Sequence, residues 1–131
     1  MEERGLPDFL ETRPADTFDV FIGTEDDNWH DGLESVMYGF GGDDYLVSAA
    51  GLSPTTMRGG KGNDYLKGGQ GDDWLYGGKG KDTLIGLDGT DHLYGGKGKD
   101  TFVVYEGHES AVMDFQPNKD IITVVVPPHI D

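Results

Sequence analysis

A chain of 131 residues has room for one compact domain, yet only 35% of its residues are hydrophobic and 22 are glycine. Asp and Glu outnumber Lys and Arg by 25 to 10, and the resulting net charge of −15 opposes compaction and makes nucleic acid and anionic membrane poor partners. There is no cysteine, hence no disulfide and no thiolate metal site, and no apolar run of transmembrane length. Such a chain either stays disordered or folds around something positive.

Taken in order, residues 1–15 carry Pro7, Pro14 and several charges and read as a flexible lead-in. Met1-Glu2-Glu3-Arg4 opens no apolar stretch, so the start is not a secretory signal peptide. Thr17 to Ile22 alternates like a strand. Residues 23–38 read as a degraded turn of a repeat whose first clear copy is Gly39 to Val47, with Asp44 and Leu46 in phase. Ser48 to Arg58 reads as one irregular turn, with Met57 in the apolar position.

From Gly59 to Val103 the chain then divides into five ungapped nonapeptides: GGKGNDYLK, GGQGDDWLY, GGKGKDTLI, GLDGTDHLY and GGKGKDTFV. Asp64, Asp73, Asp82, Asp91 and Asp100 recur every nine residues, each followed two places later by Leu66, Leu75, Leu84, Leu93 or Phe102. Residues 101–105 and 121–126 are strand candidates, Pro127-Pro128 ends the last one, and 127–131 is a tail. No segment has a helical period. The expectation is one all-β domain over 16–126, with degenerate turns at 16–58, the regular array at 59–103 and a C-terminal cap at 104–126.

Glycines at positions 1, 2 and 4 of the nonapeptide permit a tight turn with positive φ angles and let the backbone approach a ligand. Position 6 supplies a carboxylate. Positions 7 to 9 form a short strand, position 8 pointing inward and 7 and 9 outward. Such strands cannot fold singly, but stacking them buries a narrow core and stacks the turns into rows of carboxylate and carbonyl oxygens. Hard oxygen donors without soft ones suit Ca²⁺, which takes 6–8 oxygens in flexible geometry; Mg²⁺ demands a stricter octahedron, and Zn²⁺ prefers His or Cys.

These repeats resemble the RTX family, the hemolysin-type calcium-binding repeats of secreted bacterial proteins. The resemblance covers residues 39–103 well and extends in degraded form over 16–126. It implies a right-handed parallel β-roll, each nonapeptide forming half a coil, with Ca²⁺ held between turns eighteen residues apart. It also implies ligands: carbonyls at positions 2 and 4 and the Asp of one turn, with carbonyls at positions 1 and 3 and the Asp of the next. On this chain one site uses Gly60, Gly62 and Asp64 with Gly77, Lys79 and Asp82. A second uses Gly69, Gly71 and Asp73 with Gly86, Asp88 and Asp91. A third uses Gly78, Gly80 and Asp82 with Gly95, Lys97 and Asp100. A fourth uses Phe40, Gly42 and Asp44 with Gly59, Lys61 and Asp64. Leu87, Gly89 and Asp91 would begin a fifth, completed near Glu109, with Leu87 straining a glycine position. About four to five ions would offset roughly +8 to +10 of the −15. The resemblance further implies an extracellular module of a secreted bacterial protein, exported by a type I system and folding on calcium outside the cell. The stretch from Val112 to Ile122 resembles the segment that closes the open end of such rolls, where Asp114 and Asp120 serve either an ion or a turn.

Other chemistry finds little support. Gly77 to Thr83 lacks the spacing and following helix of a phosphate loop. Asp43/Asp44 and Asp72/Asp73 belong to the repeat rather than to an acid–base pair, and Ser53 and Ser110 sit in no nucleophile elbow, so no enzyme activity is expected. The outward residues of alternate repeats fall on opposite sheets: Trp74, Tyr76, His92 and Tyr94 on one, Tyr65, Lys67, Thr83, Ile85, Thr101 and Val103 on the other. The aromatic face suggests an alternative function, a carbohydrate-binding or adhesion module that takes a polysaccharide or a partner domain.

Overall fold

The computed structural model of the protein describes residues 20–32, 36–48 and 54–126. The lead-in 1–15, Thr17 to Asp19 of the first strand pattern, Ser53 and the Pro127-Pro128 stop lie outside them. The described chain is all-β, without a helix: β1 (Val20–Ile22), β2 (Trp29–Gly32), β3 (Val36–Tyr38), β4 (Tyr45–Ser48), β5 (Thr56–Gly60), β6 (Tyr65–Lys67), β7 (Trp74–Lys79), β8 (Thr83–Ile85), β9 (Thr90–Lys97), β10 (Thr101–Tyr105), β11 (Glu109–Val112) and β12 (Ile121–Val125). Odd strands form one sheet in the order β1-β3-β5-β7-β9-β11, even strands the other in the order β12-β10-β8-β6-β4-β2. Every pairing is parallel. The chain therefore winds as a solenoid, alternating between two facing sheets.

The register carries the repeat. In the regular array each residue pairs with the one eighteen places on, as Trp74 with His92 and Tyr65 with Thr83. The coil crossing Ser48 to Arg58 is two residues longer, pairing Tyr45 with Tyr65 and Val36 with Thr56. Met57 lands beside Leu75, while residues 49–53 of the irregular turn expected at 48–58 lie outside the described residues.

The core is one file of side chains between the sheets. Met37, Leu46, Met57, Leu66, Leu75, Leu84, Leu93 and Phe102 are fully buried, with Phe21 and Val112 packed against them. Position 8 is thus the inward position throughout. Met37 also belongs to this file, although the degraded repeat around it hides its phase. Ile85 departs from its outward assignment: flanked in register by Lys67 and Val103, it is buried.

At the N-terminal end Phe21 and His30 stack at 3.9 Å and cover the last core layer. At the C-terminal end β11 and β12 extend both sheets, but Ile121, Ile122 and Val124 of β12 stay exposed. The cap therefore secures the turns while leaving an apolar edge strand open.

With so thin a core each layer matters. Truncating Leu75, which has no exposed surface, to alanine is expected to cost about 2–5 kcal/mol. Denaturant unfolding of the folded protein checks this, and a loss below about 1 kcal/mol would contradict the single-file core.

Candidate metal site

Two rows of turns run along the roll. The first edge carries turns leading from the odd sheet to the even one, and the second edge carries the returns. Asn28, Asp44, Asp64, Asp82, Asp100 and Asp120 each immediately precede an even strand and so line the first edge. Thr55, Asp73, Asp91 and Ser110 line the second, at the start of the odd strands.

On the first edge the aspartates form a ladder. The backbone N–H of Asp44 donates to Asp64 Oδ1 at 2.9 Å, that of Asp64 to Asp82 Oδ1 at 2.9 Å, and that of Asp82 to Asp100 Oδ1 at 3.0 Å. Asn28 begins it and Asp120 ends it, with bonds of 2.7 and 3.0 Å. One oxygen of each carboxylate is thus spent on structure. The other is not: Oδ2 of Asp44, Asp64, Asp82 and Asp100 is buried without any hydrogen-bond partner. These four residues are at most 2% exposed.

The glycines fit this arrangement in two ways. Gly78 has a φ of 100°, open to glycine alone, and a Cβ there would strike the carbonyl oxygen of Gly60 on the preceding turn. Position 2 therefore stays bare so that carbonyls of one turn can project onto the next. Gly77, at position 1, is not in the positive-φ region expected of it; it is glycine because Asp82 Oδ2 of its own repeat lies where a Cβ would be. Phe40 and Leu87 occupy position 2 with φ of 77° and 70°, which costs about 1–2 kcal/mol each. The strain expected at Leu87 is present, and Phe40 shares it.

The first edge brings the expected groups together. Gly60, Gly62 and Asp64 face Gly77, Lys79 and Asp82; Gly78, Gly80 and Asp82 face Gly95, Lys97 and Asp100; Phe40, Gly42 and Asp44 face Gly59, Lys61 and Asp64. The carbonyl of Lys97 accepts from Gly80 N–H at 3.1 Å and that of Phe40 from Lys61 N–H at 2.7 Å, each keeping a second lone pair.

On the second edge Gly71 and Gly89 stack, and Asp73 N–H donates to Asp91 Oδ1 at 2.9 Å. Here the second oxygens have partners: Gly69 N–H donates to Asp73 Oδ2 at 2.9 Å, and Ser110 Oγ to Asp91 Oδ2 at 3.4 Å. The Asp88 carboxylate turns to His108 Nε2 at 3.1 Å. The residue paired with Asp91 is Ser110, while Glu109 pairs with Thr90.

At the C-terminal cap, Asp114 accepts the N–H groups of Gly95 and Gly96, and Asp120 those of Asp100 and Gln116. Both are engaged as turn clasps.

A second ladder escaped sequence reasoning. Asp27 accepts from Asp43 N–H, Asp43 from Asn63 N–H, Asn63 from Lys81 N–H, and Asp72 from Thr90 N–H, at 2.7 to 2.8 Å. It runs opposite to the Asp ladder, since here the earlier side chain accepts from the later backbone. In Asp43/Asp44 and Asp72/Asp73 one residue therefore serves each ladder. The signal was the acceptor recurring at position 5 in Asp43, Asn63 and Asp72.

Burial without a counter-charge governs the electrostatics. Desolvation raises Asp64 and Asp91 to about 7, Asp82 to about 8 and Asp73 to about 6, and also raises Asp44 and Asp100. Among the described residues no three His, Cys, Asp or Glu side chains converge, so a cation here would draw on backbone carbonyls together with successive Asp pairs. That donor set is all hard oxygen, with unpartnered carboxylate oxygens at its centre, and it fits a hard divalent cation.

The RTX calcium-binding nonapeptide repeat matches the chain in four copies over residues 35–51, 55–84 and 76–108. No curated protein and no solved structure matches the chain at a significant level.

These shifts set a pH dependence. A carboxylate raised in the folded state stabilises the fold below its unfolded value near 4 and loses that contribution as pH rises through its folded value. In excess chelator, thermal stability is therefore expected to fall progressively from about pH 4, where these carboxylates ionise in the unfolded chain, to about pH 8, where the buried row has also lost its protons. Metal-free stability that rises across this window would contradict the assignment.

Proposed function

The chain belongs to the RTX calcium-binding nonapeptide repeat family, and from that premise we propose that it is a calcium-driven folding module of a secreted bacterial protein. The supporting observation is the row of buried, unpartnered oxygens on Asp44, Asp64, Asp82 and Asp100. Without a cation these carboxylates must either carry a desolvated charge or hold a proton. With calcium between successive turns, each free oxygen becomes a ligand and about half of the chain's −15 is offset by four ions.

The ligands in this reading are the Asp pairs 44/64, 64/82, 82/100 and 73/91 with the glycine, lysine, Phe40 and Asp88 carbonyls between them. Asp91 to Ser110 lacks a second carboxylate at its paired position, which favours four ions over five. Extracellular calcium modules bind at about 10⁻⁴–10⁻³ M. At ten times Kd each site adds roughly 1.4 kcal/mol, so four add about 6 kcal/mol, comparable with a domain's whole margin of about 5–15 kcal/mol. Millimolar calcium outside the cell then folds a chain that stays open during export, which fits a type I route.

The aromatic faces do not favour the carbohydrate alternative. Trp74 stacks on His92 at 4.9 Å and Tyr76 on Tyr94 at 4.7 Å, with Arg58 over Tyr76; Trp29, Tyr45 and Tyr65 stack on the opposite sheet. Each of these rings has at least one face against a neighbouring ring, and the stacks account for these residues as cross-strand stabilisers.

Circular dichroism during a calcium titration tests the proposal: little β structure in chelator at about pH 7.5, and cooperative folding in the millimolar range. Full β structure in excess chelator at that pH would overturn it.

A further inference from the structure

We propose that the two edges of the roll are unequal: calcium on the first edge drives folding, and the second edge is held by hydrogen bonds and loads its ion without setting the folding threshold. This inference rests on the calcium reading above and adds a division of labour to it.

The observation is a contrast within one repeat pattern. First-edge turns present four successive carboxylates, Asp44, Asp64, Asp82 and Asp100, each almost wholly buried and each with a free Oδ2. Exposed lysines line this same edge at Lys61, Lys79, Lys81, Lys97 and Lys99, yet none supplies the buried oxygens with a partner. The relief this row receives stops at the backbone N–H on each Oδ1, so an external cation at the free Oδ2 atoms gains most by binding there.

The second edge has its relief built in. Gly69 N–H donates to Asp73 Oδ2 at 2.9 Å, and Ser110 Oγ makes a longer contact with Asp91 Oδ2 at 3.4 Å. Hydroxyl residues flank the pair in the ladder: Thr55 N–H donates to Asp73 Oδ1 at 2.8 Å, and Ser110 stands beside Asp91. Among the described residues this edge therefore offers one interval between successive aspartates against four on the first, three of them between carboxylates that both have a free Oδ2. An ion bound there shares Oδ2 with an existing hydrogen-bond donor, whereas a first-edge ion at Asp44, Asp64, Asp82 or Asp100 meets an Oδ2 with no donor.

Two substitutions of the same chemistry separate the edges. Asp82→Asn keeps an Oδ1 acceptor for Asp64 N–H, but removes the charge shared by two first-edge intervals. Asp91→Asn keeps the acceptor for Asp73 N–H and can donate to Ser110 Oγ, while removing the charge from the second-edge interval. The full chain of each variant is titrated with calcium, reading folding by circular dichroism and bound ions by calorimetry. The expected result is a folding midpoint raised at least about ten-fold in Asp82→Asn and less than about two-fold in Asp91→Asn. Asp64→Asn, which also touches two first-edge intervals, should repeat the Asp82→Asn shift, so that agreement does not rest on one variant's folding. Equal shifts, a larger shift in Asp91→Asn, or failure of all variants to fold in calcium would overturn the inference. A wild-type chain that neither folds with calcium nor binds it would instead overturn the calcium reading itself.

Discussion

The structure depends on a carboxylate placed inside a stack of turns. Asp44, Asp64, Asp82 and Asp100 each use one oxygen to hold the preceding turn's backbone and bury the other without a partner. Almost every other feature follows from that placement. Glycine at position 1 makes room for the carboxylate, glycine at position 2 admits the neighbouring carbonyl, and the short strands carry one leucine inward per half coil. A single file of apolar residues is a small driving force for a chain of this charge, so the carboxylates oppose folding until their charge is met.

Opposed ladders make the stack specific. In the inner one a later Asp accepts from an earlier backbone N–H; in the outer one an earlier Asp or Asn accepts from a later N–H. Adjacent turns are thus tied in both directions, and a slip in register would leave donors on both ladders unpaired. Stacked aromatics on the outer faces reinforce the same register.

Much of this was legible in the sequence because the repeat is strict where it counts. The nine-residue recurrence of Asp and Leu defines the two sheets, the inward file and the eighteen-residue spacing between stacked turns. Less regular segments hid their roles. Met37 joins the core through a coil of different length, and Thr55 and Ser110 occupy Asp positions that only the strand register reveals. The inequality of the edges was not legible, because Asp73 and Asp82 stand at the same position of nonapeptides that share the Gly, Asp and Leu pattern. What separates them is whether a backbone N–H reaches the second oxygen, a matter of turn conformation rather than residue type. The Asp114 and Asp120 clasps are similar: the sequence offered the carboxylates, and the folded backbone assigned their partners.

The most direct measurement is an anomalous-scattering map from crystals grown in calcium. The account predicts peaks between successive first-edge turns, about 2.3–2.6 Å from the free oxygens of Asp64, Asp82 and Asp100 and from the carbonyls between them. A folded roll in millimolar calcium with no peak at coordinating distance from these carboxylates would contradict it.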